Sequence, residues 1–222
     1  MQNAVMGGVS GVKWAAIYLG RPFPPPSHEK VGNLTFDEAF PLYKRLCDIL
    51  SAERTPCEVI QIGSSSGRNI AWLARQFPNH NFLNTYIYDE VVEFSRKNHS
   101  LPNLSFATVP VTCIHLLMEY VSGHHFIFFA DGSMQYVQPE HLDRFFRLCA
   151  KSSNKVEMHL SDAYGGVGNH FSAPRANLAY SHDYSAYAVK YSYSQVHKNI
   201  IDVAPGNPRL PNHYDFYCKN FS

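Results

Sequence analysis

From Cys57 onward the chain alternates short apolar runs with amphipathic stretches, and no other feature limits its possible folds so strongly. The apolar runs are Glu58 to Ile62, Phe82 to Tyr88, Leu104 to Val109, His125 to Ala130 and Val156 to Leu160. Between them, Arg68 to Gln76, Glu90 to Asn98, Thr112 to Val121 and Pro139 to Lys151 read as helices. Strands that stay apolar without alternating are covered on both faces, which is the condition of a parallel sheet wound with helices. Tyr180 to Tyr193 reads as a further helix, followed by Gln195 to Val203 and His213 to Lys219 as two closing strands.

The 222 residues suffice for one domain with a sizeable core. Apolar residues make up 45% and charged residues 17%, which belongs to a globular chain. Ahead of the alternating region, Val12 to Leu19 is apolar but interrupted by Lys13, and it is too short to span a bilayer. It is expected to form an amphipathic helix that packs on the domain or on a second copy of the chain. Arg21 to Ser27, with four prolines, is an extended strap. Thr35 to Glu38 starts a helix carrying Phe40, Leu42, Tyr43, Leu46 and Leu50. The expected division is therefore residues 1–34 as N-terminal segment and strap, and 35–222 as the domain.

Lys plus Arg is 19 against 18 acids, so no excess positive charge exists to hold a polyphosphate, and nucleic acid is not expected as a partner. Five scattered cysteines without a C-x-x-C pair suit a reducing cytoplasm.

The segment Val59-Ile60-Gln61-Ile62-Gly63-Ser64-Ser65-Ser66-Gly67-Arg68-Asn69 is a strand ending in a small-residue turn that opens a helix. Such a turn lets a ligand approach the backbone, and the helix start offers N–H groups to a polar or anionic group. Taken alone, it is equally a tight strand-to-helix connection.

Gln61 to Gly67 resembles the first motif of class I S-adenosylmethionine-dependent methyltransferases, acidic-x-Gly-x-Gly-x-Gly, with Gln61 at the acidic position and Ser65 at the middle glycine. Glu90 to Asn98 resembles the helix after that family's second strand, and Phe126 to Tyr136 its fourth strand and following loop. The resemblance covers roughly residues 36 to 220. It implies a Rossmann-like seven-stranded, mostly parallel sheet with helices on both faces and an antiparallel last strand. It also implies S-adenosylmethionine as cofactor, with Gln61, Gly63, Ser64, Ser65, Gly67, Tyr86, Asp131, Gly132 and Tyr136 at cofactor-binding positions. Three positions depart from the pattern. Gln61, Tyr86 and Pro110 stand where the family usually has carboxylates for the ribose and adenine, so neutral hydrogen bonds would replace charge-assisted ones.

Methyl transfer to a hydroxyl needs a base. Loops at the carboxyl ends of the strands offer His170, in the Gly-rich segment Gly165 to Ser172, His182 and Asp162. His182 reads first as a packed residue at a helix start beneath an acceptor-side lid, and His124-His125 lies at the opposite end of its strand. In metal-dependent catechol-type members Asp131 and Asp162 would hold magnesium, but Ala163 replaces the expected Asn, so no metal is expected. Asp162 to Tyr180 has the composition of a flexible acceptor-side lid. Tyr180, Tyr184, Tyr187 and Tyr191 form either an aromatic wall for a sugar or phenol or a packing stripe. The expectation is an O-methyltransferase acting on a small polar molecule, the alternative being an inert methyltransferase-like binding module. A dinucleotide oxidoreductase fits less well, because the turn lacks Gly-x-Gly-x-x-Gly.

Overall fold

The computed structural model describes residues 9–20, 41–117, 123–168, 170–175, 179–201 and 212–221. The hydrogen-bonded strands run β3 (Leu104–Thr108), β2 (Asn81–Tyr86), β1 (Glu58–Ile62), β4 (His125–Asp131), β5 (Lys155–Tyr164), β9 (Asn212–Lys219) and β8 (Ser194–Ile201) in one seven-stranded, mostly parallel sheet, and β6 (Ser172–Pro174) and β7 (Tyr180–His182) form a separate two-stranded hairpin. The fold class is the expected one. The chain divides into two compact units, residues 1–110 and 111–222.

In the first unit, helix α1 (Val9–Leu19) packs on helix α4 (Asp89–Asn98), burying Ala15 and exposing Ile17. Helix α2 (Pro41–Ala52) buries Leu42, Tyr43, Leu46 and Leu50, the face expected from spacing. The proposed helix start at Thr35 to Glu38, the proline strap and the boundary at residue 34 lie outside the described residues. Strands β1 (Glu58–Ile62), β2 (Asn81–Tyr86) and β3 (Leu104–Thr108) pair in parallel, with Gln61 opposite Asn84 and Ile62 opposite Thr85. Helix α3 (Arg68–Gln76) has the expected bounds and buries Ile70, Ala71, Leu73 and Ala74. The second strand stops at Tyr86 and not at Tyr88, because Asp89 and Glu90 favour a helix first turn and start α4 there.

In the second unit, β4 (His125–Asp131) and β5 (Lys155–Tyr164) are parallel, while β9 (Asn212–Lys219) runs antiparallel to β5 and to β8 (Ser194–Ile201). Phe126 to Ala130 are wholly buried, as a strand covered on both faces requires. Helix α5 (Pro139–Ala150) buries Leu142, Phe145, Phe146 and Cys149, and Phe146 stacks on Tyr184 and Tyr187.

Three expectations are corrected here. β5 continues past Leu160 to Tyr164, because Asp162 and Ala163 pair with Tyr214 and His213 although the apolar run has ended. Tyr180 to Tyr193 is not one helix: Tyr180–His182 is strand β7, paired with β6 (Ser172–Pro174), and helix α6 is Tyr184–Lys190. Asp183 sets that boundary by accepting hydrogen bonds from the Ser185 and Ala186 amides, an N-cap. The described part of the region read as a flexible lid thus contains the end of β5, all of β6 and the start of β7. Finally, Val111–Leu116 is a 3-10 helix, and residues 118–122 lie outside the described residues. Among the described residues, no helix is long and apolar enough to cross a membrane.

Candidate functional site

The turn after β1 is built on β2. The Gly63 and Ser64 amides both donate to the Thr85 carbonyl, at 3.1 and 3.0 Å, and the Thr85 hydroxyl donates to the Gln61 carbonyl at 2.7 Å. Gly63, Ser65 and Gly67 all take left-handed torsions, φ 76°, 52° and 69°. Two are glycines, which adopt this region freely, and Ser65 is held there against its preference. The restraint comes from α4 and the residue after it: the Ser95 hydroxyl donates to the Ser65 carbonyl at 2.9 Å, and His99 Nε2 lies 3.0 Å from the Ser66 carbonyl. A Cβ on Gly67 would overlap Asn84 Nδ2 and lie 3.3 Å from both Ser95 and His99, so the helix start sits against β2 and α4 more closely than any side chain allows.

The cofactor-binding candidates of this unit divide by direction. Ser64 points inward, donating to Asn84 Oδ1 and to the Thr85 carbonyl. Gln61 is buried, with Oε1 lacking a hydrogen-bond partner among the described residues, and Asn84 Nδ2 across the sheet is likewise unpartnered. Tyr86 is half-buried and packs against Tyr88. At the end of β3, the Thr108 hydroxyl donates to Asp89. Sequence reading passed over Asn84, Ser95 and His99. The signal was there for Asn84, a polar residue in the middle of an apolar run, itself buried in the strand.

In the second unit, Asp131 is the last residue of β4 and is exposed. Gly132 follows at φ 76° with its amide on the Ser161 carbonyl at 2.7 Å. The loop then forms a short 3-10 turn, Met134–Tyr136, in which Met134 is core and Tyr136 is 46% exposed. Asp162, near the end of β5, is only 3% exposed. Its Oδ2 accepts a 2.5 Å hydrogen bond from the Tyr184 hydroxyl, and Oδ1 makes no hydrogen bond of ordinary geometry among the described residues. Burial pushes this carboxyl up to about 7. Tyr184, the nearby Gln135 amide and Arg175 pull it down, and Asp131 adds to the rise.

His182 is buried at 2% exposure, with Nδ1 2.6 Å from the Ser172 hydroxyl. The same hydroxyl lies 2.8 Å from the Tyr187 hydroxyl, so Ser172 joins the imidazole within the hairpin and ties the hairpin to α6. Burial lowers its pKa to about 4, against the opposing pull of the Val137 and Met134 backbone. His170 is exposed in the loop before β6. Asp162 Oδ1 and His182 Nε2 are both buried without a hydrogen-bond partner among the described residues, and of the two it is Asp162 whose burial brings its pKa near neutrality. Tyr184 and Tyr187 are core, so the tyrosine series is mainly packing. His125 is buried and bonds Glu157 at 3.0 Å. Burial works to raise the Glu157 carboxyl, but hydrogen bonds from His125, His159 and Tyr217 hold it well below the usual carboxylate range.

No family model matches the chain, and no curated protein matches it in sequence. Solved structures do match in fold. An S-adenosylmethionine-dependent methyltransferase from Mesorhizobium loti is 11% identical, with TM-score 0.58, over 80% of this chain and 97% of that one. A structure described as a candidate sarcosine dimethylglycine methyltransferase from Galdieria sulphuraria is 8% identical, with TM-score 0.62, over 95% and 98% of the two chains. The (4+2)-cyclase SpnF is 10% identical, with TM-score 0.59, over 94% and 92%. At these identities what is shared is the fold, that of class I S-adenosylmethionine-dependent methyltransferases.

Proposed function

We propose that this chain is an S-adenosylmethionine-dependent methyltransferase that methylates a hydroxyl of a small polar molecule. The observation that carries the reading is the turn Gly63 to Gly67, where three left-handed residues in five, one of them a serine, are pinned by β2 and α4. A connection serving only to reverse the chain has no need to hold Ser65 in that torsion, whereas a backbone cradle for a polar ligand does. The residues fit the cofactor in their backbone. In side chains they offer amide and hydroxyl groups at Gln61 and Tyr86 and not carboxylates, so affinity would rest on neutral hydrogen bonds.

When bound, S-adenosylmethionine supplies a methyl group on a sulfonium, already carrying its leaving group, so the protein's part is alignment and proton removal. Asp162 is the proposed proton acceptor for the hydroxyl, through Oδ1, while Tyr184 holds Oδ2 and fixes the carboxyl plane. A carboxyl pushed up to about 7 is half ionised near neutrality, where a general base works best. His182 and Ser172 position the hairpin beside it.

A second reading, an inert module keeping the scaffold alone, is favoured by the replaced acids at Gln61, Tyr86 and Pro110. Calorimetric titration with S-adenosylmethionine and S-adenosylhomocysteine separates the two, beside a Gly63→Arg variant that fills the turn. Saturable binding lost in the variant supports the enzyme, and no binding to the unaltered chain at millimolar ligand overturns it.

A further inference from the structure

Arg175 follows β6, and its place in the hairpin is fixed by its own amide, which donates to the Ala179 carbonyl at 2.7 Å. Its Nη1 donates to the Ala163 carbonyl at 2.8 Å and to Gln135 Oε1 at 3.2 Å. Those two bonds use both hydrogens of Nη1. The guanidinium is thereby held across the carboxyl end of β5 and beside the loop that follows β4. A guanidinium carries five donors in a planar fork, and the three that remain are on Nε and Nη2. Among the described residues these three make no hydrogen bond, and no carboxylate forms an ion pair with Arg175.

The edge left over, Nε–H beside Nη2–H, presents the parallel pair of donors that a carboxylate takes with both oxygens. Gly165 keeps it uncovered. A Cβ at that residue would stand 3.8 Å from Arg175 Nε, and Gly165 is exposed. On the same ground, Asp162 is nine-tenths buried with Oδ1 unpartnered, and Asp131 and Arg175 both act on its charge. Among the described residues, a half-buried cation with an unused planar edge acts on a buried carboxyl with an unpartnered oxygen, and the two are fixed groups suited to a ligand of mixed polarity.

We propose that the Nε/Nη2 edge of Arg175 binds a carboxylate on the methyl acceptor, so that the acceptors are small hydroxy acids bearing a single negative charge. The inference rests on the methyltransferase reading for the word acceptor, though the anion site itself does not. Two parallel donors on one planar guanidinium match the two oxygens of a carboxylate, and the negative field of Asp131 and Asp162 disfavours a second charge on the ligand.

The test follows the Arg175 Nε–H resonance in nitrogen-15 NMR spectra of the full chain, with and without S-adenosylhomocysteine, during titration with benzoate and its neutral counterpart benzamide. Benzoate is expected to shift the resonance saturably and benzamide not to. Affinity for benzoate, measured by calorimetry, is expected to fall about tenfold to a hundredfold in Arg175→Gln. Gly165→Leu keeps the arginine and covers its edge, so it should weaken benzoate similarly even if Arg175→Gln folds poorly. Equal responses to benzoate and benzamide, or undiminished benzoate affinity in Gly165→Leu, overturns the proposal. Tighter binding of inorganic phosphate than of benzoate overturns the monoanion assignment. A benzoate response without any binding of S-adenosylhomocysteine leaves the anion site standing and removes the methyltransferase reading, and the reverse pattern removes this inference alone.

Discussion

Asp162 gives the sharpest test, because the same burial that suits it to be a base makes it costly to the fold. Its carboxyl is pushed from an ordinary value of 3.8 to about 7, mainly by desolvation. A carboxyl whose folded-state pKa is raised is bound to its proton more firmly in the folded chain than in the unfolded one. Below about pH 4 both states hold the proton and the group is neutral to stability. As pH rises toward 7 the unfolded chain ionises freely while the folded one resists, so stability is lost across that window and the loss is complete above it. About three pKa units at 1.36 kcal/mol each set an upper figure of roughly 4 kcal/mol, and partial water access in solution brings the expectation to about 2–4 kcal/mol.

Asp162→Asn removes the ionisable group and keeps an oxygen to accept from Tyr184, so the variant should escape that loss. Urea unfolding followed by tryptophan fluorescence at about pH 5 and about pH 8 measures it. Because the unfolded carboxyl is already mostly ionised at about pH 5, part of the loss falls below that pH, and the variant's advantage over the unaltered chain should grow by about 1–2.5 kcal/mol between the two conditions. Cofactor binding should be unchanged while turnover of a hydroxyl acceptor falls by about a hundredfold or more, the usual contribution of a general base. An advantage that stays constant with pH would refute the reasoning, since the carboxyl would then be ionising in the folded chain as it does in water.

Other outcomes follow from the same geometry. Gly67→Ala places a Cβ on Asn84 and forces a left-handed alanine, so a loss of about 2 kcal/mol or more in urea unfolding is expected, with weakened S-adenosylhomocysteine binding, and an unchanged midpoint would contradict the packing. Ser65→Gly relieves the left-handed serine at the cost of a more flexible unfolded chain, for a net gain of about 0.5–1 kcal/mol in the same assay, whereas a loss would mean that the Ser65 torsion carries no strain. His182 is depressed from 6.5 to about 4 by burial, so the folded chain refuses a proton the unfolded one accepts, and stability falls as pH drops through that window by at most roughly 3 kcal/mol. In His182→Gln the dependence between about pH 7 and pH 4.5 should be flatter, and an equally steep curve would place the acid sensitivity elsewhere.

What the sequence disclosed and what it hid have physical reasons that differ by residue. Phe126 to Ala130 are legible as a buried strand because every side chain is apolar whatever the neighbours are. Asp162 and Ala163 are not, since a polar residue extends a strand only if another strand arrives to pair with it, and Tyr214 and His213 come from fifty or more positions away. The hairpin of Ser172–Pro174 with Tyr180–His182 is hidden for the same reason. There the tyrosine spacing points to helix until Asp183 is recognised as the cap that starts one. The turn at Gly63 and Gly67 is legible from composition, yet the three replaced carboxylates made it look weaker than its backbone is. Left-handed torsions at residues 63, 65 and 67 need no acid, only two glycines and a serine that β2 and α4 hold in place. Arg175 shows the opposite case: nothing in its sequence neighbourhood marks it. Its meaning comes from which donors its neighbours have taken, and Ala163 and Gln135 take both from one nitrogen and leave the edge beside Gly165 open. Side chains that act through a leftover valence can therefore be found only after the partners of the others are known. For that reason the acceptor end of such a domain is read last, and by subtraction.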